Sequence, residues 1–311
     1  MLASVFPYRL RLAAGRGCLL RQRRSPPHPR CALLALLMAF LTVTGNVRAD
    51  GRLAATGGLA ELEGSAGGGL TPWALIAGNG TDREFGGDVF CTAVRPQHFV
   101  LESCGAALGI YDRAELSVSH QHFWLGDTVA GQTIDQTTIG AKWRILGDAV
   151  VDQDRWWPQL ALGLQWKRNQ DFDFIPRALG AEHAVGLDVY ASATKLYLSG
   201  PLGRSWLVSA TVRRTEANQL GILGFGGDRG RYRFVGEGSV VVFFTDHVAL
   251  GGEYRQKPNN LSAFREDAFA DAVVSWIPNK HWSLTGAYTN LGNIANFANQ
   301  RGAYASLQWV W

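Results

Sequence analysis

Apolar residues recur at every second position along most of the chain. In 138–146, Ile139, Ala141, Trp143 and Ile145 alternate with Thr138, Gly140, Lys142 and Arg144. In 159–167, Leu160, Leu162, Leu164 and Trp166 alternate with Gln159, Gly163, Gln165 and Lys167. The same period sets Trp206, Val208, Ala210 and Val212 against Ser209, Thr211 and Arg213, and Val248, Leu250 and Tyr254 against Glu253 and Arg255. Successive strand side chains point to opposite faces, so each stretch predicts a strand with one apolar and one small or polar face. Weaker alternation at 86–95, 99–111, 114–124, 185–198, 232–244, 267–277, 281–289 and 301–311 adds eight strands, and 71–79 a further candidate. No stretch holds a 3.6-residue period over three turns, so the chain is expected to be all-β.

Alternation alone also fits a soluble sandwich. Three features favour a membrane barrel. Trp and Tyr gather near strand ends (Trp73, Tyr111, Trp124, Trp166, Tyr197, Trp206, Tyr254, Trp276, Trp282 and Tyr288), as interfacial girdles require. The strands have the length that a tilted membrane strand needs. The last stretch places Ala303, Ala305, Leu307, Trp309 and Trp311 on one face, an apolar row closing on an aromatic. Such a row resembles the signal read by the barrel-assembly machinery, so that machinery is an expected partner through Trp309 and Trp311, beside outer-membrane lipid. An ordinary edge strand is the alternative reading.

Connections agree with a barrel. Ser199–Arg204, Thr245–His247 and Pro278–Lys280 are tight, whereas 168–184, 214–231, 256–266 and 290–300 are long. Short turns on one side and long loops on the other are the barrel pattern, with the short ones periplasmic. Counting back from the last strand gives thirteen, and a strand at about Leu59–Ala66 restores even parity. The expected fold is therefore an up-and-down antiparallel transmembrane β-barrel of about fourteen strands, with twelve as the alternative. The segment 147–158 stands where a short turn belongs, which leaves room for one miscounted strand there.

The first 49 residues read as an address. Arg21, Arg23, Arg24 and Arg30 precede an apolar core from Cys31 to Val43, and Val47 and Ala49 supply the small residues of a cleavage site after Ala49. The core is shorter than the roughly 20 residues of a membrane helix. Residues 50–311 are then a single outer-membrane barrel domain. No strictly apolar run in that domain exceeds the five residues of Val240–Phe244, so only a barrel could span a membrane there.

Composition changes the picture in one respect. The formal charge is +4, but eight Arg lie in 1–49 and all 26 acidic residues lie beyond it. The body is mildly acidic, which gives no electrostatic footprint for nucleic acid.

Among candidate chemical groups, Cys91 and Cys104 face each other directly if the hairpin turns at Gln97-His98, within reach of a disulfide in an oxidising compartment. Two free small residues on a packed face are the alternative. His120 and His122 alternate on one face, but a metal needs further ligands and none is evident. The stretch Gly224–Gly230 lacks the helix and the Lys-Ser/Thr ending of a phosphate loop, and reads as a turn-rich loop. Asp171 and Asp173 share a face if extended, in a loop where solvation is the ordinary state. No catalytic residue, metal ligand or cofactor site is legible. The polar face carries Lys142, Arg144, Lys167, Arg213 and Arg255 against Glu115, Asp188, Glu237, Glu253 and Asp271. Taken as lumen-lining, this balance predicts ion-pair ladders and a narrow or occluded lumen.

Six blocks carry a family likeness: EGSAGGGLTPWALIAG (63–78), GAKWRILGDAVVDQDRW (140–156), ATKLYLSG (193–200), GFGGDRG (224–230), EYRQKPNNLSAFRED (253–267) and LGNIAN (291–296). Together they resemble an uncharacterised proteobacterial family of outer-membrane barrel proteins defined only as a domain of unknown function. The resemblance spans nearly all of 50–311. It implies fold and location and transfers no activity. Three functions remain open: a narrow channel or transporter for small solutes, a barrel-embedded enzyme acting on envelope lipid or polysaccharide, and a soluble periplasmic barrel holding an apolar ligand.

Overall fold

The computed structural model describes residues 51, 52, 55–126 and 128–311. The expected signal segment, 1–49, and the expected cleavage after Ala49 lie outside the described residues.

Two short strands come first, β1 (Leu59–Ala60) and β2 (Ala66–Gly67), paired only with each other. Twelve strands follow: β3 (Phe85–Pro96), β4 (Val100–Ile110), β5 (Ala114–Trp124), β6 (Thr133–Leu146), β7 (Gln159–Asn169) and β8 (Val185–Tyr197). The second half is β9 (Ser205–Thr215), β10 (Arg233–Thr245), β11 (Val248–Arg255), β12 (Phe269–Asn279), β13 (Trp282–Asn290) and β14 (Arg301–Val310). Each pairs antiparallel with its chain neighbours, and β14 pairs with β3 to close the barrel. One helical turn, α1 (Ile175–Ala178), lies in the loop after β7.

The alternation sets which way each residue faces. In β7 the outward row Leu160, Leu162, Leu164 and Trp166 is exposed, while Gln159, Gln165 and Lys167 are buried. Leu250, Trp276, Leu284 and Leu307 continue the apolar exterior. Exposed leucine around a closed barrel is the surface lipid would cover, and a charge there would cost about 2–4 kcal/mol at mid-bilayer.

The barrel has twelve strands, not fourteen. The stretches at Leu59–Ala66 and 71–79, expected as wall strands, form a plug inside the lumen, where every residue from 60 to 80 is buried. The local sequence explains this. Gly64, Gly67, Gly68 and Gly69 bring backbone against backbone and against the wall. A Cβ on Gly69 would sit 3.0 Å from the Tyr304 hydroxyl, and one on Gly68 would run into the Glu253 carboxylate. Gly and Pro72 weaken a membrane strand, whose backbone groups must all pair with neighbouring strands.

The two ends of the barrel differ. Turns at 111–113, 198–204, 246–247 and 280–281 lie at one end with both ends of the barrel sheet. Loops 125–132, 170–184, 216–232, 256–268 and 291–300 lie at the other. The segment 147–158 is at the short-turn end, so no strand is miscounted there. It folds over the mouth, where Lys195 donates to the Arg155 carbonyl at 2.8 Å and Ala149 is fully buried. Trp311 continues the outward row of Leu307 and Trp309, its ring centroid 5.0 Å from that of Trp309. It lies beyond β14, exchanges backbone bonds with Gly87 at 2.9 and 3.0 Å, and is buried over that glycine.

Candidate functional site

The site is the lumen. All ten residues expected to line it face inward, and the plug organises most of them. Glu61 and Glu63 stand two apart in the plug, so both reach toward β7, β9 and β11. Arg255 meets Glu61 at 3.0 Å and Glu63 at 2.7 Å. Arg213 lies 3.5 Å from Glu61 and 3.8 Å from Glu63. Lys167 pairs with Glu63 and, at 2.6 Å, with Asp188. Arg213 also joins Asp188 at 3.3 Å and Glu237 at 2.5 Å. All of these side chains are almost fully buried. Buried charges are tolerable only when paired in this way.

A second group lies nearby. Lys142 meets Glu115 at 3.1 Å and donates to the plug carbonyls of Ala66 and Trp73. Glu115 in turn accepts from the Ser65 hydroxyl and from the Ala66 and Ala77 N–H groups. A third group closes the short-turn mouth: Arg144 pairs with Asp112 at 2.8 Å and Asp148 at 2.9 Å, and Arg52 with Asp112 at 2.7 Å. Burial alone would raise the Asp148 carboxyl. The Val151 and Val150 N–H donors and Arg144 outweigh it and hold the group below its ordinary value. Glu253 and Asp271 stand side by side across β11 and β12, and Glu253 accepts from the Thr71 hydroxyl and Leu70 N–H of the plug.

Neutral groups complete the dock. Ser103 and Gln121 donate to the Leu62 carbonyl, Ser192 and Thr211 to that of Pro72, and Gln159 to that of Ala74. The Trp73 indole N–H donates to Ser239. Toward the long-loop end the loops fold inward over an apolar cluster that includes Phe99, Phe123, Leu223, Leu261 and Phe264. A buried pair, Lys257 and Glu266 at 3.0 Å, sits among them; burial lowers the lysine and raises the glutamate. At the short-turn end a cavity of about 530 Å³ opens beneath the plug, lined by Leu75, Ala149, Leu196, Leu207 and Phe243 with Arg204 and Lys280.

The remaining candidates fall elsewhere. Cys91 and Cys104 are opposite each other in the β3–β4 register and are joined by a disulfide, on the outward face. His120 and His122 lie on the outer face near the long-loop end. His122 is bonded to Asp135, and His120 to the Thr137 hydroxyl at 3.2 Å. His120 is 3.9 Å from Asp135, beyond hydrogen-bond length, so no hydroxyl–imidazole–carboxylate relay is formed. Among the described residues no cluster of three or more metal-ligating side chains occurs. Asp171 accepts from the Asp135 N–H and Asp173 pairs with Arg177 in an exposed loop. The Gly224–Gly230 loop carries Phe225 into the barrel mouth, fully buried.

Glu61, Glu63 and Asp88 are among the buried carboxylates that strand alternation did not single out. The two glutamates fall in a stretch whose glycines speak for close packing rather than for a strand.

No curated protein sequence matches the chain. Among solved structures, the KdgM porin is similar at 10% identity with a TM-score of 0.46, over 72% of this chain and 99% of that one. An outer membrane channel from Pseudomonas putida F1 gives 12% and 0.40, over 78% and 96%. The outer membrane phospholipase A from Escherichia coli gives 10% and 0.40, over 73% and 91%. At these values the likenesses carry no argument about activity. Residues 56–308 match a family profile that takes in both plug and barrel, and the chain belongs to that family, described as Protein of unknown function (DUF3034).

Proposed function

We propose that the chain is an outer-membrane barrel forming a narrow conduit for small solutes, closed by residues 57–80 as a plug. The observation that carries this reading is the chemistry of the plug's dock. A barrel that needed only filling could be filled with apolar side chains, and a well-packed apolar core is often as stable as a buried ion network or more so. Here the plug is held by Glu61 and Glu63 on Arg213, Arg255 and Lys167, and by hydroxyl and amide groups of the wall. Water or a polar solute can replace every one of these contacts when the plug moves, because the wall left behind is polar.

The short turns would then face the periplasm, with the cavity under the plug open to that side. The row ending at Trp309 and Trp311 would serve recognition by the barrel-assembly machinery during insertion. The apolar exterior argues against a soluble carrier of apolar ligands. The unlinked His120 and Asp135 argue against a hydrolase on the outer face.

Planar-bilayer recording tests the reading. The Ala74 N–H lies 2.8 Å from the Thr194 hydroxyl, so an Ala74→Cys/Thr194→Cys variant can lock plug to wall. Conductance is expected from the reduced variant and from Glu61→Gln/Glu63→Gln, and its loss from the oxidised lock. Absence of conductance in every form removes the channel.

A further inference from the structure

The outward rows of the strands are apolar with a small set of charged exceptions, and the exceptions are placed unevenly. Arg95, Arg168 and Arg214 are each the next-to-last residue of β3, β7 and β9, and Arg301 is the first of β14. All four positions are at the long-loop end and all four side chains are exposed. The outward acids Glu102 and Asp135 lie at the same end, on β4 and β6. Lys195, at the opposite end, is turned under the 147–158 segment and bound to its carbonyls.

The arginines form two pairs. In the β14–β3 register Arg95 stands opposite Ala303, two residues from Arg301, which is diagonal reach. Arg168 and Arg214 flank β8, opposite Val185 and Val189, two strand spacings apart across the sheet and four residues apart along it, about 16 Å in all. Below each pair runs bare apolar wall: Ala303, Ala305 and Leu307 under the first, Val185, Leu187 and Leu164 under the second. Arg214 lies over the Tyr232 ring at 3.6 Å, which fixes its direction. Arg95, Arg168 and Arg301 make no ion pair among the described residues.

We propose that these two pairs dock the phosphates of a phosphorylated glycolipid in the leaflet at the long-loop face, its acyl chains lying along the apolar wall beneath. An arginine at the edge of a lipid-facing strip is at the depth of the lipid headgroups, and its planar fork binds phosphate bidentately. Glu102 and Asp135, together with His120 and His122, separate the two pairs on one side of the barrel, so the surface offers two discrete sites rather than a cationic belt. The inference does not require that the lumen conduct.

The test uses the full-length folded protein in detergent, with diphosphoryl lipid A as probe and binding read by native mass spectrometry. Monophosphoryl lipid A, phosphatidylcholine and inorganic phosphate are the comparisons. Wild type is expected to retain the diphosphoryl lipid at two sites and to hold phosphatidylcholine at least tenfold more weakly, with inorganic phosphate failing to compete at equal concentration. Arg95→Gln/Arg301→Gln and Arg168→Gln/Arg214→Gln should each lose one site, and the fourfold variant both. Arg155→Gln, at the short-turn end, should bind as wild type does. The four arginines are exposed, so their variants are expected to fold, checked by heat-modifiable gel mobility. A pair whose replacement leaves the count unchanged is not a site. Wild-type binding by the fourfold variant, equal retention of phosphatidylcholine, or competition by free phosphate overturns the proposal.

Discussion

Replacing both plug carboxylates, in Glu61→Gln/Glu63→Gln, keeps shape and removes charge from the centre of the dock. The structure sets the size of the effect. Breaking a buried ion pair on one side costs about 3–5 kcal/mol when the other charge is left alone. Here the wall is not left alone: Arg213 keeps Glu237 and Asp188, Lys167 keeps Asp188, and Arg255 keeps Glu237 at 3.6 Å. The two glutamates also share partners, so their losses do not add. The low end, about 3 kcal/mol for both together, is the appropriate figure. That changes the ratio of docked to released plug roughly hundredfold.

Hydrogen exchange of the folded protein in detergent reads that ratio directly, because amides of residues 57–80 exchange through plug release. Peptides from this segment should exchange roughly hundredfold faster in the double variant, while peptides from β7, β9 and β11 keep their rates. Plug exchange within about threefold of wild type would refute the ion-pair dock. Strand peptides that accelerate in step with the plug would refute separate release, since plug and barrel would then open as one unit.

Three further outcomes are expected. Glu115→Gln leaves Lys142 without its carboxylate in a buried site and should cost about 3–5 kcal/mol in urea unfolding from lipid vesicles; adding Lys142→Met should recover part of it, and a strictly additive pair would contradict the coupling. Cys91→Ser/Cys104→Ser should lose about 3 kcal/mol by the chain-entropy argument, and thiol alkylation without reductant should label neither cysteine of the native protein. Asp148 has a folded value below its unfolded one, so its contribution is fully present above the ordinary aspartate value and is lost as pH falls through the folded value. Protease cleavage within 147–158 should therefore rise on acidification in the native protein and become independent of pH in Asp148→Asn.

Period-two alternation, read locally, determined a great deal. It placed all twelve wall strands, told the lipid face from the lumen face where the alternation was strong, and put Lys142, Lys167, Arg213, Glu237 and Arg255 inside. A lipid-facing surface tolerates no charge at its centre, so the pattern along one strand is enough to orient it. Parity counting failed at the start of the chain for the same reason that it worked elsewhere. Leu59–Ala66 and 71–79 also place apolar residues at intervals, and nothing local tells burial in a wall from burial inside it. Only the closed barrel shows that β14 reaches β3 without them. It also shows that Glu61 and Glu63 meet cations from β7, β9 and β11, more than a hundred residues away. Pairings of that kind depend on which faces the fold brings together. A sequence can therefore announce that a lumen is charged and occluded while leaving the identity of what occludes it to the tertiary structure.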